Sequence, residues 1–371
     1  MDFDFSADQK LLKDQARRFL GRHCPASAVR AVLDDPQRQY DRDLWREIAA
    51  QGWLATTLPL EYGGLGLGHV DLCAIAEELG RALAPVPFAS TAYFLAETLV
   101  AEGTDAQKRT WLPRIAAGEA IGCFAVTERP GALVAASVQA RVEGGRLTGV
   151  KAPVTDGLVA DVAVVLAREG PGHSLFLVDL SGEDVARAPL QTLDPSRGAA
   201  RLAFSGAPAE RLGEVGEGMA LAEAALARAA VLLAFEQVGG ADRALEMARD
   251  YAMTRYAFGR LIGSYQAIKH KLADVYIGNE LARSNAYYGA WALEAGSADL
   301  PLAAAAARVA ASEAYWVAAK ESLQVHGGVG FTWAADCHLH YRRAQQLALV
   351  AGGTKAWKER LARQLQWRNA A

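Results

Sequence analysis

Several features that would settle a protein's class at a glance are missing from this sequence. Only four cysteines occur in 371 residues, Cys24, Cys73, Cys123 and Cys337, and they lie far apart. No CxxC pair or Cys/His ligand spacing is present. Structural thiols in a reducing cytoplasm are therefore expected, with no disulfide framework and no metal. Basic charge is not in excess: 39 Lys and Arg face 42 Asp and Glu, a net charge of −3, which leaves no footprint for nucleic acid. No apolar run approaches the roughly 18 residues that suggest a membrane span. The opening MDFDFSADQK is acidic and polar, unlike a signal peptide. Internal repeats are absent. The glycine cluster Gly63 to Gly68 lacks the GxGxxG spacing and follows no strong strand, so it reads as a turn and not as a dinucleotide cradle.

What remains is an ordinary globular composition, 51% hydrophobic and 22% charged, in a chain long enough for two or three domains. Ser6 is placed to cap a helix over Asp8 to Leu20, and Asp41 another through Leu44, Trp45 and Ile48. A helix over His69 to Ala82 follows the glycine turn, with further helices near 88–102 and 105–117. The period then changes. Ile121 to Val126, Ser137 to Val142, Arg146 to Val150, Val162 to Leu166, Leu175 to Val178 and Leu202 to Phe204 are short β-type runs parted by Gly, Pro and Asp. Beyond Gly213 the signal is helical again, near 217–256, 264–296, 301–325, 336–349 and 354–367. The expected fold class is α+β, mostly α: a helical segment 1–118, a largely antiparallel β segment 119–212, and a helical segment 213–371.

Tyr251 to Asp274, YAMTRYAFGRLIGSYQAIKHKLAD, stands out within the alanine-rich helices. Gly259 and Gly263 break it, and Arg255, Phe258 and Gln266 cluster around the break. A fixed cation, an amide and a flat apolar wall suit a planar, phosphate-bearing cofactor. An ordinary helix–turn–helix corner accounts for the same break. A second stretch, Gln324 to Thr332, reads QVHGGVGFT and is followed by Arg342–Arg343. Taken together, YxxxRxxFGxxIxxxQAIKHKLAD and QxHGGxGFT resemble the acyl-CoA dehydrogenase family of FAD enzymes, in the family's order and separation. The P-x-x-YGG-x-G stretch before His69 agrees with it.

The resemblance implies an N-terminal helical domain, a central β-domain and a C-terminal four-helix bundle, with FAD as cofactor, an acyl-CoA substrate and a dimer or tetramer. It assigns Arg255 to the FAD pyrophosphate of a neighbouring subunit, Phe258 and Gln266 to contacts near the cofactor, and Gln324, Gly327 and Gly328 to the loop at its adenosine-diphosphate part. Glycine there lets backbone amides approach phosphate oxygens. Thr127, in Phe124-Ala-Val-Thr-Glu128, and Thr155, in Lys151-Ala-Pro-Val-Thr-Asp-Gly157, correspond to residues at the flavin ring. Without the resemblance each threonine reads as a strand-surface residue.

Departures from the family pattern are as informative. The Gly-Ser-Asp that follows Thr-Glu-Pro is replaced by Gly131-Ala-Leu133, and the ring-shielding tryptophan by Pro153. Removing a proton from the α-carbon of a thioester needs a carboxylate close by. The family's usual spacing from Gly328 lands on Ala351, and no Asp or Glu lies between Asp336 and Glu359. The alternative position, counted back from Arg255, lands on Ala229, within an acid-free run from Ala224 to Phe235.

Three readings follow. The chain is a base-lacking subunit of a heteromeric acyl-CoA dehydrogenase; GFTWAADCHLHYRRA resembles the GFTWEHDxHLYxRRA of actinobacterial enzymes acting on steroid side-chain thioesters, with Ala334 and Ala335 as departures. Or it is a homomeric flavoenzyme with a relocated base, for which Asp336 and His338 are candidates, or one with oxygen-dependent chemistry. Or it is a non-catalytic binding or scaffold protein. Asp336 also reads as a helix N-cap, and His326 as a loop or packing residue.

Overall fold

The computed structural model describes residues 4–370. Ser6 opens α1 (Ala7–His23) with a capping box: its hydroxyl accepts from the Gln9 N–H at 3.2 Å, and the Gln9 side chain accepts from the Ser6 N–H at 2.9 Å. After α2 (Ala26–Leu33), Asp41 caps α3 (Arg42–Ala50), accepting from the N–H groups of Asp43 and Leu44 at 3.1 Å. The glycine cluster is a turn, with Gly63 and Gly66 at φ 82° and 61°, and it feeds α4 (His69–Arg81). The stretch Ala89–Ala96 is π-helical and wholly buried. It runs into α5 (Glu97–Glu102), which is followed by α6 (Asp105–Ala116).

The β segment holds β1 (Gly122–Ala125), β2 (Arg141–Glu143), β3 (Arg146–Thr155), β4 (Val162–Glu169), β5 (Gly172–Asp179), β6 (Val185–Leu190), β7 (Ala199–Pro208) and β8 (Glu210–Leu212). They form one eight-stranded sheet in the order β6-β7-β3-β2-β4-β5-β8, with β1 running parallel beside β4. Residues Val162 to Ala167 of β4 are all buried, the pattern of a strand covered on both faces. Two expectations shift here. Of the run Ser137 to Val142 only its end is strand, because Ala135–Ser137 turns as a 3₁₀ helix. β6 had no forecast: it is mostly exposed and contains Pro189, so no apolar alternation marks it.

The last segment contains α7 (Gly218–Ala252), a small hairpin of β9 (Tyr256–Ala257) and β10 (Arg260–Leu261), then α8 (Gln266–Glu294), α9 (Leu300–His326), α10 (Cys337–Leu349) and α11 (Gly353–Ala370). α7 is long and apolar enough to cross a membrane, yet 67% of its most apolar window is buried inside the protein. It is the core helix, packed against α4, α8, α9 and α10. Small residues set how closely its neighbours approach. A Cβ on Gly239 would lie 1.8 Å from the Glu77 carbonyl oxygen of α4, and one on Gly80 would lie 1.9 Å from the Glu236 carbonyl oxygen of α7. The two helices thus meet backbone to backbone. All four cysteines are buried and free, as expected.

Gly239→Ala should force α4 and α7 apart and lower stability by about 1–3 kcal/mol. Gly21→Ala in α1, where a Cβ meets nothing within 4 Å, should instead gain about 0.5–1 kcal/mol. Denaturant titration of both variants checks the contrast.

Candidate active site

A cavity of about 460 Å³ lies where the β segment meets the C-terminal helices. Thr127, just beyond β1, and Thr155, the last residue of β3, both line it, together with Pro153. Pro153 has no N–H to give the sheet, and the β3–β7 register shifts between Lys151 and Val154. The two threonine-bearing elements are tied directly, the Ala152 N–H donating to the Thr127 carbonyl at 3.0 Å. Apolar walls come from Phe94, Phe124, Leu133, Leu226 and Val350. Phe94 and Phe124 stack with centroids 5.3 Å apart.

Glu128 holds the strand end that carries Thr127. Its carboxylate accepts from the N–H groups of Gln139 and Ala140 at 2.9 and 2.8 Å and from Lys151 Nζ at 2.9 Å. Burial disfavours the ionised carboxylate, but the Lys151 ammonium and the backbone donors outweigh it and hold its pKa below the usual range. Lys151 is completely buried, so Glu128 is its essential counter-charge.

The opposite rim is the loop Leu349 to Gly353. Ala351, Gly352 and Gly353 all have positive φ, 62°, 110° and 68°. Arg308 of α9, fully buried, fixes this loop by donating to the carbonyls of Leu347 and Val350, while Trp357 Nε1 donates to the Ala351 carbonyl at 3.1 Å. Ala351 therefore stands in the cavity wall at a rigidly held position, with a methyl group where a carboxylate is expected. Ala229 is in the α7 core, 0% exposed. Among the described residues no Asp or Glu lines the cavity; its charged residues are Arg129, Arg197 and Arg360.

The reading of Asp336 as a helix cap needs correcting. Asp336 precedes α10, but its side chain makes no capping hydrogen bond. Arg30 takes the carboxylate instead, donating from Nε at 2.8 Å, an ion pair that outcompetes a neutral cap. Asp336 lines a separate cleft with Arg81 and His340 and is not in the wall of the active-site cavity. His338 stacks on Trp333 with centroids 4.8 Å apart, also outside that wall. His326 is a packing residue: its Nδ1–H donates to the Ser322 carbonyl at 2.8 Å and its ring stacks on Tyr251 at 4.4 Å.

That stacking joins the two sequence motifs. Val325 is buried with Ala248 and Ala252, against Tyr251, Ile262 and Ile268. Around this seam Arg255, Phe258, Gln266, Gln324 and Gly328 are exposed. The break between α7 and α8 is neither a plain corner nor disordered: Phe258 and Gly259, φ 51° and 80°, form the two-residue turn of the β9–β10 hairpin. A bulky residue rarely holds such a backbone, and here its ring is 97% exposed. Gly327 has φ 61°, and a Cβ on Gly327 or Gly328 would meet nothing within 4 Å, so both glycines border open space. Gln324 lines a second cavity of about 880 Å³ with Lys271, Trp333, Tyr341 and Arg342, and Leu193 lines both cavities. Residues suited to a flavin ring and residues suited to its phosphates are thus present, but in two groups. Arg308, which fixes the Ala351 loop, carried no spacing signal in the sequence, and Lys151 stood there only as the opening of the Lys151–Gly157 motif. Asp156, beside Thr155, stood inside the quoted Lys151–Gly157 motif without being singled out.

A helical–β–helical chain with an apolar, threonine-flanked cavity and exposed phosphate-type donors defines a flavoprotein dehydrogenase scaffold. Comparison with known proteins settles which one. The acyl-CoA dehydrogenase N-terminal domain family matches residues 6–119, and the acyl-CoA dehydrogenase C-terminal domain family matches residues 216–366. The chain belongs to the acyl-CoA dehydrogenase family, FAD-dependent oxidoreductases acting on CH–CH donors. It is 34% identical to acyl-CoA dehydrogenase IpdE2 of Mycobacterium tuberculosis, over 91% of each chain. It is 31% identical to the human mitochondrial short-chain specific acyl-CoA dehydrogenase, over 83% of this chain and 78% of that one. Among solved structures, the ChsE4-ChsE5 complex from Mycobacterium tuberculosis superposes with TM-score 0.89 at 29% identity, covering 99% of both chains.

Glu128→Gln should strand the buried Lys151 charge and cost about 3–5 kcal/mol. Because the folded-state pKa of Glu128 lies below its ordinary value of 4.5, its contribution is present above that value and fades as pH falls through the lowered one. Thermal melts of wild type and variant from neutral to acid pH should therefore converge at the acid end.

Proposed function

We propose that this chain is a base-lacking subunit of a cytoplasmic, heteromeric acyl-CoA dehydrogenase, acting with a homologous partner that supplies the catalytic carboxylate. The observation that carries this reading is the cavity wall itself. It has the threonines and apolar surface for a flavin and a thioester, yet presents Ala351 and, among the described residues, no acid. Three segments, 1–118, 119–212 and 213–371, form its working units.

In this reading Thr127 and Thr155 face the flavin ring in the chain's own cavity. Arg255, Phe258, Gln266, Gln324, Gly327 and Gly328 reach the cofactor of the neighbouring subunit. The exposure of all but the half-buried Gly327 supports that division, since side chains meant for their own cavity would be covered by it. Exposed Tyr256, Phe258, Tyr276, Ile277, Leu281 and Phe331 add an apolar surface unusual for a monomer. What FAD supplies when bound is acceptance of the β-hydrogen as hydride. This chain's residues seat the ring, anchor the phosphates and keep the thioester against an apolar wall. The likeness to the Tcur3481-Tcur3483 steroid ACAD, 31% identical over 98% of this chain with TM-score 0.88, supports a steroid-derived acyl group as the substrate class, and the likeness to the ChsE4-ChsE5 complex supports the heteromeric assembly.

The test is the visible spectrum of the protein purified alone and after co-expression with a homologous partner subunit. The expected result is little flavin in the lone chain and a strong flavin band in the co-purified complex. Strong flavin and robust acyl-CoA turnover in the lone chain would overturn the reading. Within the complex, Arg255→Ala should weaken FAD affinity about tenfold to a hundredfold, measured by flavin release on dilution.

A further inference from the structure

The active-site cavity has an exposed end, at Arg129, Pro130 and Gly131, and a buried end, at Ala89, Phe94 and Leu226. The two ends are built from different kinds of residue. Gly131 and Gly353 both line the cavity, and a Cβ on either would meet nothing within 4 Å. Ala351 and Gly352 complete that rim with a single methyl group between them. The walls near the exposed end are therefore mostly backbone, and they leave width.

The buried end is aromatic. Phe94, 6% exposed, and the half-buried Phe124 stack there with an angle of 26° between their planes. Phe124 is the one residue of β1 that is not fully buried, in keeping with its place in the cavity wall. Phe94 belongs to the π-helical stretch Ala89–Ala96, every residue of which is buried. That backbone aims it. Residues five apart in an α-helix point about 140° away from each other, whereas the i→i+5 turn of a π-helix returns them to one face. Ala89 and Phe94 are five apart and both line the cavity. On the same stretch Phe88 and Tyr93 pack edge to face, 5.6 Å between centroids. A ring set in packing this dense yields little. Phe124 and Thr127 lie three residues apart, at most about 11 Å along the chain, so the aromatic stop stands close to the threonine that flanks the flavin seat.

We propose that Phe94, braced by Phe124, is a specificity-determining residue of this cavity: the site accepts compact, ring-bearing acyl groups and rejects long straight chains. Bulk near the thioester meets a rim without side chains, and length meets two stacked rings. A long chain would have to fold back on itself, losing rotamer freedom, while a preformed ring lies flat against the aromatic face at no such cost. This rests on the cavity being the acyl-CoA site.

The experiment measures binding, which needs no catalytic base. The purified protein, as the complex if one forms, is titrated calorimetrically with 3-cyclohexylpropanoyl-CoA and with lauroyl-CoA below its micellar concentration. The ring-bearing thioester should bind at least about tenfold more tightly. Phe94→Ala should tighten lauroyl-CoA binding about tenfold by opening the buried end. Phe94→Leu, a milder cut, should move it the same way by a smaller factor and carries the test if thermal melts show that the alanine variant does not fold. Equal affinity for the two thioesters in the wild type, or lauroyl-CoA affinity unchanged in the folded Phe94 variants, overturns the inference alone. Failure of both thioesters to bind the wild type overturns the inference and the acyl-CoA reading together.

Discussion

The near-contact of α7 with the elements around it is the constraint on which the rest of the molecule depends. Gly239 lies against α4, and Gly240 lies against Tyr315 of α9, where a Cβ would come within 2.4 Å of the ring. Gly289 of α8 faces Val231 of α7 less closely, a Cβ there lying 3.2 Å from a Val231 methyl. These contacts fix the helices at short range and leave α7 too deeply buried to carry a charge cheaply. An acid at Ala229 would be fully buried, with Arg228 as the one cation in the otherwise uncharged run Ala224 to Phe235. The alanine there is what close packing favours, and the chemistry has to be arranged elsewhere.

The site follows from how rigid groups are placed around that core. Arg308 fixes the Ala351 loop through carbonyls, Glu128 and Lys151 fix the strand ends bearing the threonines, and Asp194 fixes Arg343 at the junction of β segment and bundle. Each is a buried charge held by ion pairs or hydrogen bonds, with only the Arg308 Nε left unpartnered among the described residues, so the cavity walls are held in place while no described carboxylate lines the cavity. A wall this well defined but chemically incomplete is what a shared active site requires. The exposed hairpin tip at Phe258 is its counterpart on the outer surface: strained backbone kept at a point that touches nothing within its own chain.

Most of the fold was legible in the sequence because it is written in local signals. Ser6 and Asp41 are caps, the glycines before His69 are a turn, and the change from helical to strand periodicity falls between α6 and β1. What escaped was whatever depends on distant partners. β6 is a strand only because β7 is beside it. Asp336 looks like a cap until Arg30, far away in the chain, takes its carboxylate. The assignment of residues to the cofactor comes from motif resemblance, and the absent acids from counting. Phe94, Phe124 and Leu226 come together only in three dimensions, from a π-helical stretch, a strand and a core helix, and no spacing rule links them.

The central claim is that this chain holds a thioester against a flavin but lacks the base to start the reaction. It is tested most directly by mixing FAD-supplemented protein with an acyl-CoA without oxygen and following loss of visible flavin absorbance, alongside α-proton exchange in heavy water. The lone chain should give neither flavin bleaching nor α-exchange, and the complex with its partner both. Rapid bleaching and exchange by the lone chain would show that it contains its own base, and would contradict the account.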